Sequence, residues 1–404
     1  MARTAIVNVG AMVSGDIAAP LHRARGVQIE DGKIAGLDPD AAAVAGADRV
    51  IDAGGMTLIP GLIDSHTHPA IGDFTPRLSA IGWIENYLHG GITAMISTGE
   101  LHVPGRPHDP AGVKALSILA CKSYRNARPA GVKVVGGTLI LESGLKETDF
   151  REVAEAGVKA VKFIQAITDR AEAIQFSRWA KQYGMKVLIH CGGTSLPDVP
   201  TTDAKGIMEI EPDVLAHLNG GPTALSFADI DLLIRQTPWI IDIVRFGNPK
   251  ALLTMIETIL EIGALDRVVL GTDSPTGNGM EPLGMLHLIT FLAACTDLKA
   301  DQALCMATGN TARVYGLPAG TIAPGRPADM VLLDAPLGSC AKHALDAFAL
   351  GDSPAVAMVM IDGEIAVPRS RNTVPPQKSY RLEVKRREEN RAGLGGRQSG
   401  RSDR

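Results

Sequence analysis

Between residues 58 and 319 the chain repeats one pattern: a short apolar run, then a stretch long enough for a helix. The apolar runs fall at 62–68, 92–98, 132–141, 160–165, 186–191, 214–218, 239–244 and 267–272. Several are apolar at nearly every position, as strands buried on both faces are. Helical patterns, such as Arg170 to Tyr183 and Asn248 to Gly263, lie between most of them. Eight strands alternating with helices predict an α/β fold, a (β/α)8 TIM-like barrel. Composition agrees: 45% hydrophobic and 21% charged residues suit a large core, while 4% aromatics and 44 glycines favour close helix-on-strand layers.

The flanks read differently. Ala5 to Val9, Gly26 to Ile29 before Glu30-Asp31-Gly32, and Val50 to Asp52 are β-prone runs between turns. The same texture returns in Asp329 to Leu333 and Val356 to Ile361. Residues 1–57 plus 320–370 therefore predict one small discontinuous β-sandwich, with the barrel of 58–319 inserted between its halves. From Gln377 the composition becomes basic, and 377–404 is expected to be a disordered tail with a helical turn or two over Arg381 to Glu389.

A formal net charge of −4 gives no reason to expect nucleic acid or an anionic membrane as partner. Cys121, Cys191, Cys295, Cys305 and Cys340 are dispersed without CxxC spacing, which reads as reduced thiols in a cytoplasmic protein. No apolar stretch reaches the roughly 18 residues of a membrane helix.

Chemistry in such a barrel sits at the C-terminal ends of the strands. Strand one ends in His66 and His68, whose spacing puts both side chains on one face. Strand four carries Lys162, strand five ends in His190, strand six in His217, and strand eight in Asp273. Neutral imidazoles and a carboxylate suit zinc, iron or a similar metal. A lysine ammonium cannot ligate, but carboxylation by carbon dioxide converts it to a carbamate able to bridge two metals. Two metals about 3.5–4 Å apart can lower the pKa of water and polarise a carbonyl. Asp273 would ligate one metal and relay a proton to a leaving nitrogen. The bland alternative for these residues is a set of buried histidines satisfied by backbone bonds; for Lys162 it is an ion-paired lysine or a one-metal site. Lys159, at odd spacing from Lys162, should face away from the interior.

Pro60-Gly61-Leu62-Ile63-Asp64-Ser65-His66-Thr67-His68, the isolated His190 and His217, and Gly271-Thr272-Asp273-Ser274-Pro275 resemble the amidohydrolase superfamily. Ala307-Thr308-Gly309-Asn310-Thr311-Ala312 and Gly325-Arg326-Pro327-Ala328-Asp329 match it too, so the resemblance spans roughly residues 1–370. It implies that His66 and His68 bind one metal with Asp273, that His190 and His217 bind the second, and that the strand-four residue bridges them. His89-Gly90-Gly91-Ile92-Thr93, Pro104-Gly105-Arg106-Pro107, the stretch Lys122 to Gly131, and His217 to Thr223 resemble more closely the enamidases of nicotinate fermentation. That likeness implies opening of the cyclic enamide 6-oxo-1,4,5,6-tetrahydronicotinate to 2-formylglutarate, two divalent ions (zinc and/or iron), and a homotetramer. One departure stands out. The enamidase pattern has a glutamate bridge on strand four, whereas here Phe163 stands near that position and Lys162 fits the lysine spacing of hydantoinases and dihydropyrimidinases.

His102, Arg106 and His108 follow strand two, and an arginine there suits a substrate carboxylate; the alternative is a solvated loop. Arg245, just past strand seven, and Thr194 with Ser195, after strand five, are further substrate candidates. Arg125 and Arg128 read as salt-bridging helix residues, and Cys191 should alternate outward, away from chemistry. A hydantoinase-like or other lactam hydrolase, a mononuclear deaminase and a non-enzymatic scaffold remain as rivals.

Overall fold

The computed structural model describes residues 3–69, 82–99, 107–164, 167, 169–193, 202–221, 223–275 and 279–385. Eight parallel barrel strands, here β1 to β8, run Leu62–Thr67, Ile92–Ser97, Lys133–Val135 with Leu139–Ile140, Ala160–Phe163, Lys186–His190, Val214–Ala216, Ile240–Val244 and Val268–Gly271. Each pairs in parallel with its neighbours, and β3 is broken in the middle. The break is at Gly136 and Gly137: Gly137 has φ 91°. A Cβ there would lie 2.4 Å from the Ser117 carbonyl oxygen, on the helix Pro110–Asn126. Only glycine allows that approach.

The ring closes between β8 and β1. The Asp273 N–H donates to the His66 carbonyl at 2.8 Å, and the His68 N–H to the Ser274 carbonyl at 2.7 Å. Closure is tight because Gly271 lacks a side chain; a Cβ would sit 2.6 Å from the Cβ of His66.

Helices Arg170–Gln182 and Pro249–Ile262 lie where the sequence pattern puts them. Asn248 caps the second, accepting from the N–H groups of Lys250 and Ala251, and Gly263 ends it in the left-handed conformation. Outward residues such as Val161, Phe163, Val187, Ile189 and Cys191 pack against the helical layer. Inward residues of the lower barrel form a separate apolar cluster: Ile63, Ala94, Ile96, Ala160, Leu188, Val214, Ala216 and Val269. Ala312, Val314 and Tyr315, from helix Thr311–Tyr315, seal its base. The Asn310 side chain fastens that plug, donating to the Leu265 and Val268 carbonyls, both at 2.9 Å. This is the structural work of the Ala307–Ala312 motif.

The smaller domain has two sheets with a shared core that includes Ile6, Met12, Ile29, Ile51, Leu332 and Met358. One sheet holds five strands in the order 381–384, 49–52, 4–7, 27–30, 33–37; the other holds six, in the order 364–367, 355–361, 330–334, 57–60, 11–13, 21–22. One expectation is corrected here. Residues 377–385 are ordered, and Arg381–Val384 is a strand antiparallel to Arg49–Asp52, not a helical turn or a loose tail. Residues 386–404 lie outside the described residues. Among the described residues no helix is long and apolar enough to cross a membrane.

Candidate metal centre

The upper barrel interior changes character within two residues of the apolar cluster. On β4 the step is from Ala160 to Lys162, on β5 from Leu188 to His190, and on β7 from Ile240 to Asp242. Lys159 is exposed and Phe163 faces the helices, so Lys162 is the inward titratable residue of β4 among the described residues. Its fully buried ammonium stands 2.9 Å from His66 Nε2.

The histidines and Asp273 converge. Ring centroids of His66 and His68 are 5.3 Å apart, those of His66 and His217 5.0 Å, and those of His190 and His217 4.5 Å. Asp273 Oδ1 lies 3.1 Å from His68 Nε2 and 3.6 Å from His66 Nε2. His66, His68 and Asp273 thus offer three ligand atoms mutually within 4.8 Å. Not every residue arrives by simple alternation. Val214 and Ala216 face the barrel interior, so His217 should point outward; instead its backbone takes φ 37°. Asp273 has φ 64°. Each left-handed residue costs about 1 kcal/mol or more, which the surrounding bonds must offset.

The tautomers test whether metals fit. Carbonyl oxygens only accept, so His68 Nδ1 donates to Gly99 at 2.9 Å, His190 Nε2 to Gly193 at 3.1 Å, and His217 Nδ1 to Cys191 at 3.2 Å. His66 Nδ1 meets the Asp242 carboxylate at 2.5 Å. Each ring therefore has one nitrogen fixed and a lone pair on the other, the arrangement metal-ligating histidines adopt. His68 Nε2 faces Asp273 Oδ1 at 3.1 Å, a contact satisfied by a shared proton in the bare site or by a metal ion between the two in the loaded one. The Nδ1 atom of His190 is buried and has no hydrogen-bond partner among the described residues. These residues fit metal ions.

Electrostatics agree. Burial, and then the nearby Lys162 charge, hold His66 far below the usual imidazole range and His190 down at about 4. Burial and the neighbouring His190 do the same to His217. All three are therefore neutral at pH 7, as ligands must be. Burial alone would push Asp273 up, but the polar contact with His68 and the nearby Lys162 ammonium keep it below the usual carboxylate range. Burial pulls Lys162 down to about 8.

Three carboxylates escaped the sequence reading. Asp242 interrupts the apolar run Ile240–Val244, a visible signal, and is fully buried. Asp64 accepts from the Thr272 N–H at 2.8 Å and from its hydroxyl at 2.6 Å, tying β1 to the residue before Asp273. Glu142 follows β3, is 7% exposed, and lies 3.7 Å from His108. Of the substrate candidates, Arg245 is at the mouth but paired with Glu281 at 3.1 Å. His102, Arg106, Thr194 and Ser195 lie outside the described residues. Arg125 and Arg128 serve packing: the first donates to the Ala156 carbonyl at 2.9 Å, the second pairs with Asp362 at 3.0 Å.

The amidohydrolase family pattern matches residues 247–366. The enamidase of Eubacterium barkeri is 45% identical over 385 residues, covering 95% of this chain and 100% of that one. The chain belongs to the amidohydrolase superfamily. A solved enamidase structure, described as a new member of that superfamily, superposes with a TM-score of 0.90 at 44% identity, covering 94% of this chain and 100% of the other. A D-hydantoinase (dihydropyrimidinase) from Thermus superposes with a TM-score of 0.61 at 19% identity over 92% of this chain and 96% of its own, a likeness of fold alone. As an amidohydrolase, this protein is a hydrolase acting on C–N bonds.

Proposed function

We propose that this amidohydrolase opens a cyclic enamide or amide, in the manner of an enamidase acting on 6-oxo-1,4,5,6-tetrahydronicotinate to give 2-formylglutarate. The observation that carries the reading is the group of buried, singly fixed imidazoles around Asp273, in a chain 45% identical to an enamidase over nearly its full length. His66, His68 and Asp273 would hold one divalent ion, and His190 and His217 a second, zinc and/or iron. Lys162 would bridge them as its carbamate. Among the described residues no carboxylate lies within ion-pair distance of its buried ammonium, a costly arrangement that a carbamate paired with two bound cations would replace. When bound, such ions polarise the amide carbonyl and lower the pKa of water.

Asp273 takes the proton of the attacking water and delivers it to the ring nitrogen as the C–N bond breaks. The freed enamine tautomerises to an imine, and a second water converts that to the aldehyde with loss of ammonia. A carboxylated ring would be met at the mouth by Arg245, with His102, Arg106 and Thr194 as further contacts. The five unpaired cysteines support a cytoplasmic setting, and a homotetramer is carried over from the enamidases by resemblance.

Lys162 also favours a second reading, a hydantoinase-like hydrolase. Metal analysis of the purified protein, then assay on 6-oxo-tetrahydronicotinate beside dihydrouracil and hydantoin, separates the two. Turnover of the first substrate with two metals per chain is expected. Hydrolysis of dihydrouracil or hydantoin alone would favour the second reading, and one metal per chain would point to a mononuclear deaminase.

A further inference from the structure

Asp242 touches both halves of the metal centre. Ile241 and Ile243 face the helices, which leaves its carboxylate inside the barrel. Its Oδ2 accepts from the His66 imidazole at 2.5 Å and from the His217 backbone N–H at 3.0 Å. Its Oδ1 accepts from the Ser65 hydroxyl at 2.6 Å. One side chain on β7 therefore reaches a ring on β1 and the main chain just past β6. The His217 contact is at the residue whose left-handed backbone, φ 37°, turns the imidazole inward.

We propose that Asp242 is a positioning residue that locks His66 and His217 into ligand orientation together, so that the affinities of the two metal positions rise and fall as a pair. The inference rests on the two-metal reading, in which His66 and His217 serve different ions. A carboxylate on the far nitrogen fixes the tautomer and angle of a ligating ring and strengthens its lone pair. The same carboxylate, by holding the His217 N–H, keeps the second ring from relaxing outward. A group that only filled space would do neither.

The test is release of zinc from the full chain, titrated with a competing chelator. Asp242→Asn keeps the shape: its carbonyl can still accept from His66 and His217 while its amide turns to Ser65, but the charge is gone. Both zinc ions should bind about 10- to 100-fold more weakly, the usual effect of losing an outer carboxylate. Ser65→Ala, which leaves the charge and removes one donor, should weaken both severalfold. The visible absorption of the cobalt-substituted protein, which reports ligand orientation, should change in Asp242→Asn while its circular dichroism does not. Weakening of one ion only, unchanged affinities, or an unchanged cobalt spectrum would each overturn the proposal. Asp242→Ala should exaggerate every effect; if it does not fold, the other two variants carry the test. A wild-type protein that releases one zinc per chain would sink the two-metal reading itself. Two zincs released from wild type with Asp242→Asn unaffected would sink only the role of Asp242.

Discussion

The upper and lower halves of the barrel interior are built on the same strands and do opposite work. Below, Ala160, Leu188, Val214 and Val269 meet the plug of Ala312, Val314 and Tyr315 in a wholly apolar layer. Above, two residues further along β4 and β5, Lys162 is fully buried and His190 partly so, in a cluster of titratable groups. The lower layer gains free energy from burial. The upper layer loses it, because desolvating imidazoles, carboxylates and an ammonium is unfavourable without ligands. Stability and chemistry are thus separated by about one pleat of strand.

That separation can be broken experimentally. Asp273→Asn should lower kcat/KM by about 10²–10⁴-fold, the range for a lost acid–base group, while the melting temperature stays near that of wild type. A large drop in melting temperature instead would show that the upper layer also holds the fold together. Leu188→Ala, one inward position below His190, should cost about 2–5 kcal/mol in denaturant unfolding, with the folded fraction keeping its metal and turnover. Loss of metal in that variant would show the layers to be coupled.

The upper layer should also make metal-free protein acid-sensitive. Folded His190 resists protonation down to about 4, whereas the unfolded chain takes up that proton near the ordinary value of 6.5. Stability from this source is full above pH 6.5 and is lost as pH falls toward 4. A flat melting temperature across that window would contradict it. The smallest effect belongs to the base of the barrel. The Tyr315 hydroxyl is buried without a hydrogen-bond partner among the described residues, so Tyr315→Phe should change stability by no more than about 1 kcal/mol, toward greater stability.

The strands and the ends that carry His66, His68, Lys162, His190 and Asp273 were legible because apolar runs mark strands and barrel geometry puts chemistry at one rim. The inward turn of His217 was not, since alternation argues against it and a left-handed histidine leaves no local signature. Asp242 was visible as a lone charge in an apolar strand, but its partners on β1 and β6 are brought together only by the closed ring. Arg381-Leu382-Glu383-Val384 does alternate, yet its charges and exposure resemble a solvated tail, and its partner lies at Arg49–Asp52.

That distant pairing bears on the order of folding. Residues 57–60 find their neighbour in 330–334, and 49–52 in 381–384. During synthesis from the N-terminus, the first strands emerge long before the partners that complete their sheets. They wait, with unpaired edges, while the barrel is made. The strands that precede the barrel can pair among themselves, but the two sheets are finished only when strands made after the barrel arrive.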